Sequence, residues 1–430
     1  MEKLVIDRLG PIAHCEIEIK DFLILTGAQA TGKSTIAKSI FFFGNLKNLL
    51  VGIVRKSMGT VNYEALPMTL RNRFIKEIRN NFLQIFGTTW AMDPQMRIEY
   101  LYENGETISV SLKKEKSQDQ YAYIDLSLNI EKKIEKVERQ FITEGRLASA
   151  PTELKRVVYA DVFGNEQEMV YIPAGRSMIT LLSAQINYIY STMDDNQKRN
   201  LDYCTLNYLE RILQIKPFFN YSFERLIQME KGTTDRRLDI TSLQQAARLN
   251  KEILKGEYRN IAGDERLQIT DDKYVKINFA SSGQQESVWI LNVLFYYMLN
   301  GIHTCFIIEE PESHLYPDSQ KVMTEFIALA GQFGNRVIIT THSPYVLSTV
   351  NNLLYAKLIS KKVDQQKLAQ VVNPCSWIDF QTMAAFHVSN GTIRDCTDPD
   401  YENLQNDVID GASEEINTAF EHMVDLAHGE

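Results

Sequence analysis

The chain has few cysteines, and they form no pattern. The five cysteines of this 430-residue sequence are Cys15, Cys204, Cys305, Cys375 and Cys396. No two of them make a CxxC pair or a spacing that suits a metal ion. Neither a disulfide framework nor a zinc module is indicated, and scattered single cysteines are typical of a reduced compartment. We therefore predict a cytoplasmic protein.

The sequence also lacks an excess of positive charge. Its formal net charge is −9, and no Lys or Arg follows Arg394. A surface that binds nucleic acid would therefore have to be a local patch. Two segments offer candidates: Arg71, Arg73, Lys76 and Arg79, and Lys132, Lys133, Lys136 and Arg139. Such charge runs are more often solvated faces than binding sites.

Uninterrupted apolar runs of membrane length are absent too. The most apolar window, residues 288–308, is broken by Asn292, by the pair Asn300-Gly301 and by His303. The N-terminus leads directly into an alternating strand pattern rather than a basic and then apolar segment. We predict neither a membrane span nor a leader. With 44% hydrophobic and 23% charged residues, the composition is that of a globular protein with two or three domains.

What the sequence does contain is a phosphate-binding loop. Gly27-Ala28-Gln29-Ala30-Thr31-Gly32-Lys33-Ser34 lies between a short apolar strand pattern, residues 21–26, and a segment without helix breakers, residues 34–43. Glycines in a strand–loop–helix let backbone N–H groups surround an anion at a helix N-terminus. Lys33 would reach the β- and γ-phosphates of a nucleotide, and the hydroxyl of Ser34 would bind Mg²⁺. We predict an ATP- and Mg²⁺-dependent enzyme.

Carboxylates follow a second apolar strand. Residues 304–308 lead directly into Glu309 and Glu310, and the carboxyl end of a strand is where open parallel sheets bind ligands. Alternate strand residues point to opposite sides, so the two carboxylates have different tasks. One can serve the Mg²⁺ shell and the other can orient the attacking water. A third strand pattern, residues 336–341, ends at His342, whose place after the carboxylates suggests a sensor of the γ-phosphate.

A second anion-binding pattern precedes the carboxylates. Ser281-Ser282-Gly283-Gln284 opens a long apolar helix over residues 287–299. A polar loop at a helix N-terminus can bind phosphate, although the same residues also form an ordinary helix cap.

The remaining pattern predicts a core interrupted by a long insertion. Strands are predicted at residues 4–6, 15–19, 96–103, 106–112, 121–128, 169–172, 266–270 and 274–279, and helices at 46–58, 67–86 and 131–140 and over most of 178–255. The pair Asn104-Gly105 signals a hairpin. We predict an α/β ATPase core at residues 1–45 and 263–395, an inserted, mainly helical lobe with a small sheet at 46–262, and an acidic tail at 396–430.

The order of these motifs resembles the ABC-type P-loop ATPases, in the branch that contains the SMC-like heads and the OLD (overcoming lysogenization defect) family. The resemblance covers residues 1–45 and 265–350, with 309–317 similar to the OLD-type Walker B motif and D-loop. Departures from the common ABC pattern are Glu309 in place of Asp, Ser281 and Gln284 in the signature, and Tyr316 where His is common in OLD-like sequences. A transporter ATPase, which has a much shorter insertion, is disfavoured.

The resemblance implies an α/β head with a mixed sheet, which closes head to tail with a second copy around two ATP molecules. The resemblance also implies that Glu310 is the catalytic base and that Glu309 and Ser34 belong to the Mg²⁺ coordination shell. His342 would be the switch residue that senses the γ-phosphate. A Gln that senses Mg²⁺ in relatives would be Gln167 or Gln185, and Arg176 would face the nucleotide or anchor the lobe. The implied nucleotide contacts are Gly27, Ala30, Thr31, Gly32, Lys33, Ser34 and Thr35, with Ser282, Gly283 and Gln284 from the partner.

Function beyond hydrolysis depends on what is joined to the heads. Asp398-Pro399-Asp400 has the Asp-x-Asp form of a Toprim nuclease but sits in a turn-like segment, so we predict no nuclease there. The acidic tail has the spacing of an amphipathic helix, which would pack back on the ATPase, dock another protein or mimic nucleic acid. The resemblance implies a sensor or scaffold that controls a separate effector, a nuclease or toxin, in antiviral defence. The alternative is a DNA-repair head that binds DNA directly.

Overall fold

The structure is a computed structural model that describes residues 1–58, 68–114, 120–144, 150–182, 202–233 and 238–405, together with Met423. Two predictions lie outside these residues, the role of Gln185 and the helix of the acidic tail. The described strands are β1 Glu2–Leu9, β2 Ile12–Ile19, β3 Phe22–Thr26, β4 Arg97–Leu101, β5 Thr107–Lys114, β6 Gln120–Leu126, β7 Glu168–Ile172, β8 Glu257–Ile261, β9 Asp264–Gln268, β10 Tyr274–Lys276, β11 Thr304–Glu309, β12 Arg336–Thr341, β13 Met383–Ser389, β14 Thr392–Asp395, β15 Thr397–Asp398 and β16 Asn403–Leu404.

Helices make up most of the remainder. The described α-helices are α1 Lys33–Met58, α2 Leu70–Phe86, α3 Leu128–Glu138, α4 Ala150–Arg156, α5 Arg176–Leu182, α6 Tyr203–Ile215, α7 Phe223–Thr233, α8 Ile240–Leu254, α9 Ser282–Asn300, α10 Pro317–Gly331, α11 Pro344–Ile359 and α12 Gln365–Val371. Two π-helical segments, Arg139–Thr143 and Val157–Val162, continue α3 and α4.

A six-stranded mixed sheet forms the centre, in the order β14-β13-β3-β12-β11-β7. Its strands are parallel except β14, which pairs antiparallel with β13. The predicted strands β3, β11 and β12 are adjacent, so their carboxyl ends meet at one edge. This confirms the α/β class and places the three sequence motifs side by side.

Both faces of the central sheet are buried, which explains why its strands are apolar throughout. Alternate residues of one strand enter two different hydrophobic clusters. Ile308 of β11 joins α8, α9, α10 and α11 on one side, whereas Ile307 joins α1 and the N-terminal strands on the other. The sheet is therefore the middle layer of three.

The N-terminal strands belong to a second sheet, ordered β2-β1-β4-β5-β6. The predicted hairpin at Asn104-Gly105 joins β4 to β5, and the first two predicted strands form the antiparallel pair β1–β2. This sheet combines strands that we had assigned to the core with strands that we had assigned to the insertion. The two regions share one sheet because β1 pairs with β4.

Both predicted boundaries of the insertion fall within continuous elements, and three strands lie in other sheets than the prediction implied. Helix α1 continues across residues 45 and 46 without a break, and residues 262 and 263 form the turn of the β8–β9 hairpin. Strand β7, predicted within the insertion, is an edge strand of the central sheet. Strands β9 and β10 form a separate three-stranded sheet with β8 rather than continuing the core. Local patterns identified the strands but not their partners.

Among the described helices, α1 is long and apolar enough to cross a membrane by length and composition, and 67% of its apolar window is buried within the fold.

The predicted turn at Asp398 is present between β15 and β16, where the Asp398 carboxylate accepts hydrogen bonds from the backbone N–H groups of Asp400 and Tyr401.

Candidate functional site

The loop between β3 and α1 has the backbone of an anion-binding nest. Gly27, Ala30 and Gly32 have φ values of 137°, 61° and 110°. A Cβ on Gly27 would lie 2.3 Å from the carbonyl oxygen of Val388, and a Cβ on Gly32 would lie 2.4 Å from Ile12. Only glycine fits at these two positions. The loop therefore turns its N–H groups toward a common point at the start of α1.

Lys33, the first residue of α1, is folded back over this loop. Its Nζ donates to the carbonyl oxygens of Gly27 and Ala28, each at 2.7 Å. Burial lowers the pKa of Lys33, while the nearby Glu310, Glu312 and Glu309 oppose this effect. The lysine is therefore a buried cation facing three carboxylates. The next residue, Ser34, has its side chain exposed at the same helix end.

The two predicted carboxylates, Glu309 and Glu310, have different surroundings, as expected for consecutive residues at the end of a strand. Glu309 is 6% exposed, and its Oε2 accepts the backbone N–H of Ala174 at 3.4 Å. Its Oε1 is buried without a hydrogen-bond partner. Glu310 is more open, with a side chain 33% exposed, and it adopts a φ of 42°. One carboxylate is held inside the sheet edge and the other is presented to solvent.

His342 lies beside these carboxylates at the end of β12. Its Nδ1 is 3.8 Å from Glu310 Oε1 and 3.6 Å from Glu312 Oε1, and its side chain is 56% exposed. The register that pairs Glu309 with Thr340 brings the two strand ends together. The structure thus unites the phosphate loop, Glu309, Glu310 and His342, which are distant in sequence.

Glu312 is a member of this site that the sequence reasoning did not assign. Its Oε1 accepts the hydroxyl of Thr341 at 2.6 Å and the backbone N–H of His342 at 3.0 Å, and its Oε2 is buried without a partner. Glu312 therefore fixes the backbone from which His342 projects. The available signal was a third acidic residue two positions after Glu310, across Pro311.

Arg176 takes the anchoring role rather than the nucleotide-facing one. It is fully buried, and its guanidinium donates to the carbonyl oxygens of Pro173, Glu309 and Glu310. It also pairs with Glu286 of α9 at 3.3 Å. One side chain thus joins the loop after β7, the end of β11 and the first turns of α9.

The predicted signature segment begins α9. The carbonyl oxygen of His314 lies 2.7 Å from the position of a Cβ on Gly283, so this glycine is needed for close packing on the loop after β11. Ser282 is exposed. The Gln284 amide is engaged within the chain, since it completes a capping box with Ser281 and donates to Leu254 O at 2.7 Å. Gln284 therefore stabilises the start of α9, and its predicted contact with nucleotide in a second copy stays a prediction.

Gln167 is placed at the wrong end of the sheet for a Mg²⁺ sensor. It precedes β7, and its Nε2 donates to Gly334 O at 3.3 Å, at the edge opposite the phosphate loop. The carboxyl end of β7, which adjoins Glu309, carries Pro173-Ala174-Gly175-Arg176 instead. That interpretation of Gln167 is therefore wrong.

The residues present fit a nucleotide with a divalent cation. The glycine-containing loop, with positive φ values at Gly27, Ala30 and Gly32 just before α1, suits a phosphate at the helix N-terminus. The unpartnered oxygen of Glu309 is a hard donor of the kind that Mg²⁺ prefers. A buried lysine, a buried carboxylate and an exposed carboxylate at one sheet edge define the class, a P-loop ATPase.

Comparison with known proteins agrees with this class. A family model described as an AAA ATPase domain matches residues 1–347, and the chain therefore belongs to the AAA ATPase domain family. No curated protein shows a significant match.

Solved structures with a similar fold include SMC heads. An Smc head bound to the C-terminal winged-helix domain of ScpA has a TM-score of 0.40 at 11% identity, covering 91% of this chain and 95% of that chain. The SMC head domain from Thermotoga maritima has a TM-score of 0.35 at 12% identity, covering 91% and 97%. An Smc head from Pyrococcus furiosus, with an extended coiled coil and bound to the C-terminal domain of ScpA, has a TM-score of 0.39 at 12% identity, covering 97% and 100%.

Proposed function

We propose that this chain binds and hydrolyses ATP, closes into a head-to-tail dimer around it, and uses that cycle to control a separate effector. The observation that carries the hydrolytic part is the convergence of Lys33, Glu310 and His342 at one sheet edge. The phosphate loop supplies the anion site, and the exposed carboxylate beside it is free to act on water.

Each residue has a distinct task in this proposal. The loop N–H groups and Lys33 bind the phosphates, and Lys33 must exchange its bonds to Gly27 O and Ala28 O for phosphate oxygens. Ser34 and Glu309 would hold Mg²⁺, which neutralises phosphate charge when bound. Glu310 accepts a proton from the attacking water, and His342, placed by Glu312, contacts the terminal phosphate.

Exposed side chains near the site support the proposed dimer. Ser282, at the N-terminus of α9, is open to solvent next to the loop after β11. Large side chains on the same edge are also exposed, with Phe279 at 80% and Tyr316 at 74%. A helix N-terminus and two aromatic side chains that face outward suit contact with the phosphate loop of a second copy.

Substitution of Glu310 tests the hydrolytic assignment. We expect Glu310→Gln to retain ATP binding and to lower the turnover rate by about 10²-fold or more, because removing a general base costs factors of this order. Lys33→Ala should abolish binding itself. Unchanged turnover in Glu310→Gln would place the base elsewhere, and unchanged ATP affinity in Lys33→Ala would refute the phosphate loop.

The dimer is tested by light scattering of the same proteins. Glu310→Gln should double its mass when ATP and Mg²⁺ are added, because the bound state is trapped, whereas Lys33→Ala should not. A Ser282→Arg substitution in the Glu310→Gln protein should keep one ATP per chain and prevent dimerisation. Dimerisation of that double variant would refute the role of the α9 N-terminus.

Control of a separate effector, a nuclease or toxin in antiviral defence, extends the proposal to the cell and follows the OLD-like motif at 309–317. It is tested by purifying Glu310→Gln from its native host with ATP and identifying the bound molecules. A small protein that leaves when ATP is withdrawn and rebinds in reconstitution supports effector control. Binding of DNA alone, released by high salt, supports the repair-type head instead.

A repair-type head requires a free basic strip on the insertion. In the structure, Arg71 and Lys133 form ion pairs with Glu131 and Glu106. Arg79 donates to the carbonyl oxygen of Ala122 at 2.8 Å. Arg71, Arg79 and Lys133 thus hold α2 and α3 to each other and to the second sheet, which leaves fewer cations for a DNA-binding strip and favours effector control.

A further inference from the structure

A second basic site lies away from the phosphate loop. A cavity of about 980 Å³ is lined by the C-terminal half of α1 and by α2 and α6. Arg55 and Lys56 enter it from α1, and Arg73 and Lys76 enter it from α2. The cavity begins at Asn45, which lies about 18 Å farther along α1 than Lys33 at 1.5 Å per residue. It is therefore separate from the ATP site.

Most of these cations lack partners. The lining contains six basic and three acidic residues. Two of the basic residues, Lys155 and Arg211, pair with Glu168. In contrast, Arg55, Lys56 and Lys76 form no ion pair or hydrogen bond in the part of the chain that the structure describes. Within the described part of the chain, the cavity thus carries unneutralised positive charge.

Arg73 provides the strongest indication of a ligand. One terminal nitrogen donates to Ser57 Oγ, but Nε and the other terminal nitrogen are buried and have no acceptor. Buried donors without acceptors are destabilising, so they are normally satisfied. A guanidinium offers paired donors in the geometry that matches a phosphate group.

Other lining residues are suited to the rest of a small molecule. They include the rings of Tyr159 and Tyr203 and the amides of Asn48 and Asn207. The volume lies within the range of small-ligand pockets, which is about 300–1,000 Å³. Arg73 is half-buried at the side of the cavity, so a phosphate group that binds its guanidinium has to enter the cavity rather than lie on the outer surface.

We propose that this cavity binds a small ligand carrying two or more phosphate groups, held by Arg73 with Lys76, Arg55 and Lys56. The site is additional to the ATPase function proposed above and does not depend on it. The phosphates could come from inorganic polyphosphate or from a nucleotide, and the two sources share the same recognition chemistry.

Equilibrium dialysis of the full chain with labelled pyrophosphate tests the site. The Lys33→Ala protein, which lacks the phosphate-loop lysine, should still bind one pyrophosphate per chain. Adding Arg73→Gln and Lys76→Gln should weaken that binding at least tenfold. Competition by GTP stronger than by triphosphate supports a nucleotide, and equal competition supports inorganic polyphosphate.

The matched control is Arg71→Gln with Arg79→Gln. These two substitutions also remove two positive charges from α2, but on the side of the helix that contacts Glu131 and Ala122. This pair should leave pyrophosphate affinity within twofold. If the Arg73 variant fails to fold, Arg55→Gln with Lys56→Gln tests the α1 wall. The proposal is overturned if Lys33→Ala abolishes all pyrophosphate binding, or if the two α2 variants weaken it equally.

Discussion

At the residue scale, three of the eight described non-glycine residues with positive φ lie at the site. Ala30, Glu310 and His314 are non-glycine residues with φ values of 61°, 42° and 60°. Each such residue costs on the order of 1–3 kcal/mol and persists only where its surroundings impose it. At Glu310, the surroundings are known: Arg176 binds its carbonyl oxygen and Thr340 O accepts its N–H at 2.9 Å. The exposed carboxylate is held in a prepared position.

A glycine substitution tests this view of the phosphate loop. Gly27→Ala would combine a φ of 137° with a Cβ only 2.3 Å from Val388 O. Because the clash is with backbone of the adjacent strand β13, it cannot be relieved by a rotamer change. We expect a loss of about 2 kcal/mol or more in unfolding free energy and loss of ATP binding, measured by urea denaturation and nucleotide titration.

Gly52→Ala serves as the matched control, since it lies in α1 and a Cβ there meets nothing within 4 Å. It should be neutral or stabilise the protein by about 0.5–1 kcal/mol, because alanine favours helix over glycine. If Gly27→Ala behaved like this control, the backbone argument for the loop would be wrong.

Some residues of the site could be predicted from the sequence and others could not. The phosphate loop and Glu309-Glu310 could be predicted because each is a continuous segment with a diagnostic neighbour. Glu312 could not be assigned, because its function depends on Thr341 and on the His342 backbone, which belong to another strand. The contact between Gln284 and Leu254 O could not be predicted for the same reason, because Leu254 ends a different helix.

At the element scale, one buried side chain connects three parts of the site. Arg176 opens α5 and binds the loop after β7, the end of β11 and Glu286 in α9. The phosphate edge and the α9 N-terminus are therefore mechanically joined. A displacement of the carboxylate strand would strain these contacts to the helix that carries Ser282, as the coupling of hydrolysis to dimer opening proposed above requires.

Removing this connection should be costly. Arg176→Met leaves the buried Glu286 carboxylate without its cation, and breaking a buried pair in this way costs about 3–5 kcal/mol. We expect that loss in chemical denaturation, and a double variant with Glu286→Gln should lose less than the sum of the single losses. Arg97→Met, which removes an exposed pair with Glu99, should cost less than about 1 kcal/mol.

A strictly additive double variant would contradict the coupling of Arg176 to Glu286.

The strands themselves were predicted well where one apolar pattern was continuous, as in β3, β11 and β12. Sheet membership was not, because β7 was assigned to the insertion and β9 and β10 to the core, whereas only β7 of these three strands reaches the central sheet. Pairing depends on contacts far apart in the chain.

At the scale of the whole molecule, the edge opposite the phosphate loop carries a buried charge cluster. Arg336 pairs with Glu2 and with Glu103, which joins the start of the chain to the second sheet and to β12. Lys47 of α1 lies close by, and burial lowers its pKa to about 8, with Glu2 opposing the shift. Its amine donates to Asn165 O at 3.3 Å.

Lys47 should make stability depend on pH. Its folded-state pKa of about 8 is below the ordinary value of 10.5, so the unfolded chain holds more protons between these values. The free-energy cost of burying the charged Lys47 amine is complete below pH 8, and it falls as pH rises toward 10.5. Lys47→Met should therefore be more stable than wild type by about 1–3 kcal/mol at pH 7, and this difference should shrink toward pH 10.

Urea denaturation at several pH values between 7 and 10 measures this difference. The exposed Lys132→Met serves as the control and should show no such trend. A constant difference between Lys47→Met and wild type over this range would show that Lys47 does not titrate in the folded state.

The sequence by itself determined the phosphate loop, the acidic strand end, the strand before His342 and the α/β class. These are local patterns in which residue spacing dictates the chemistry. Only the tertiary structure decided that β7 closes the sheet, that Arg176 is buried, that Glu312 positions His342 and that the cations of α2 face two different ways. These facts depend on which distant segments pack together, and packing is set by the whole set of buried contacts rather than by any one segment.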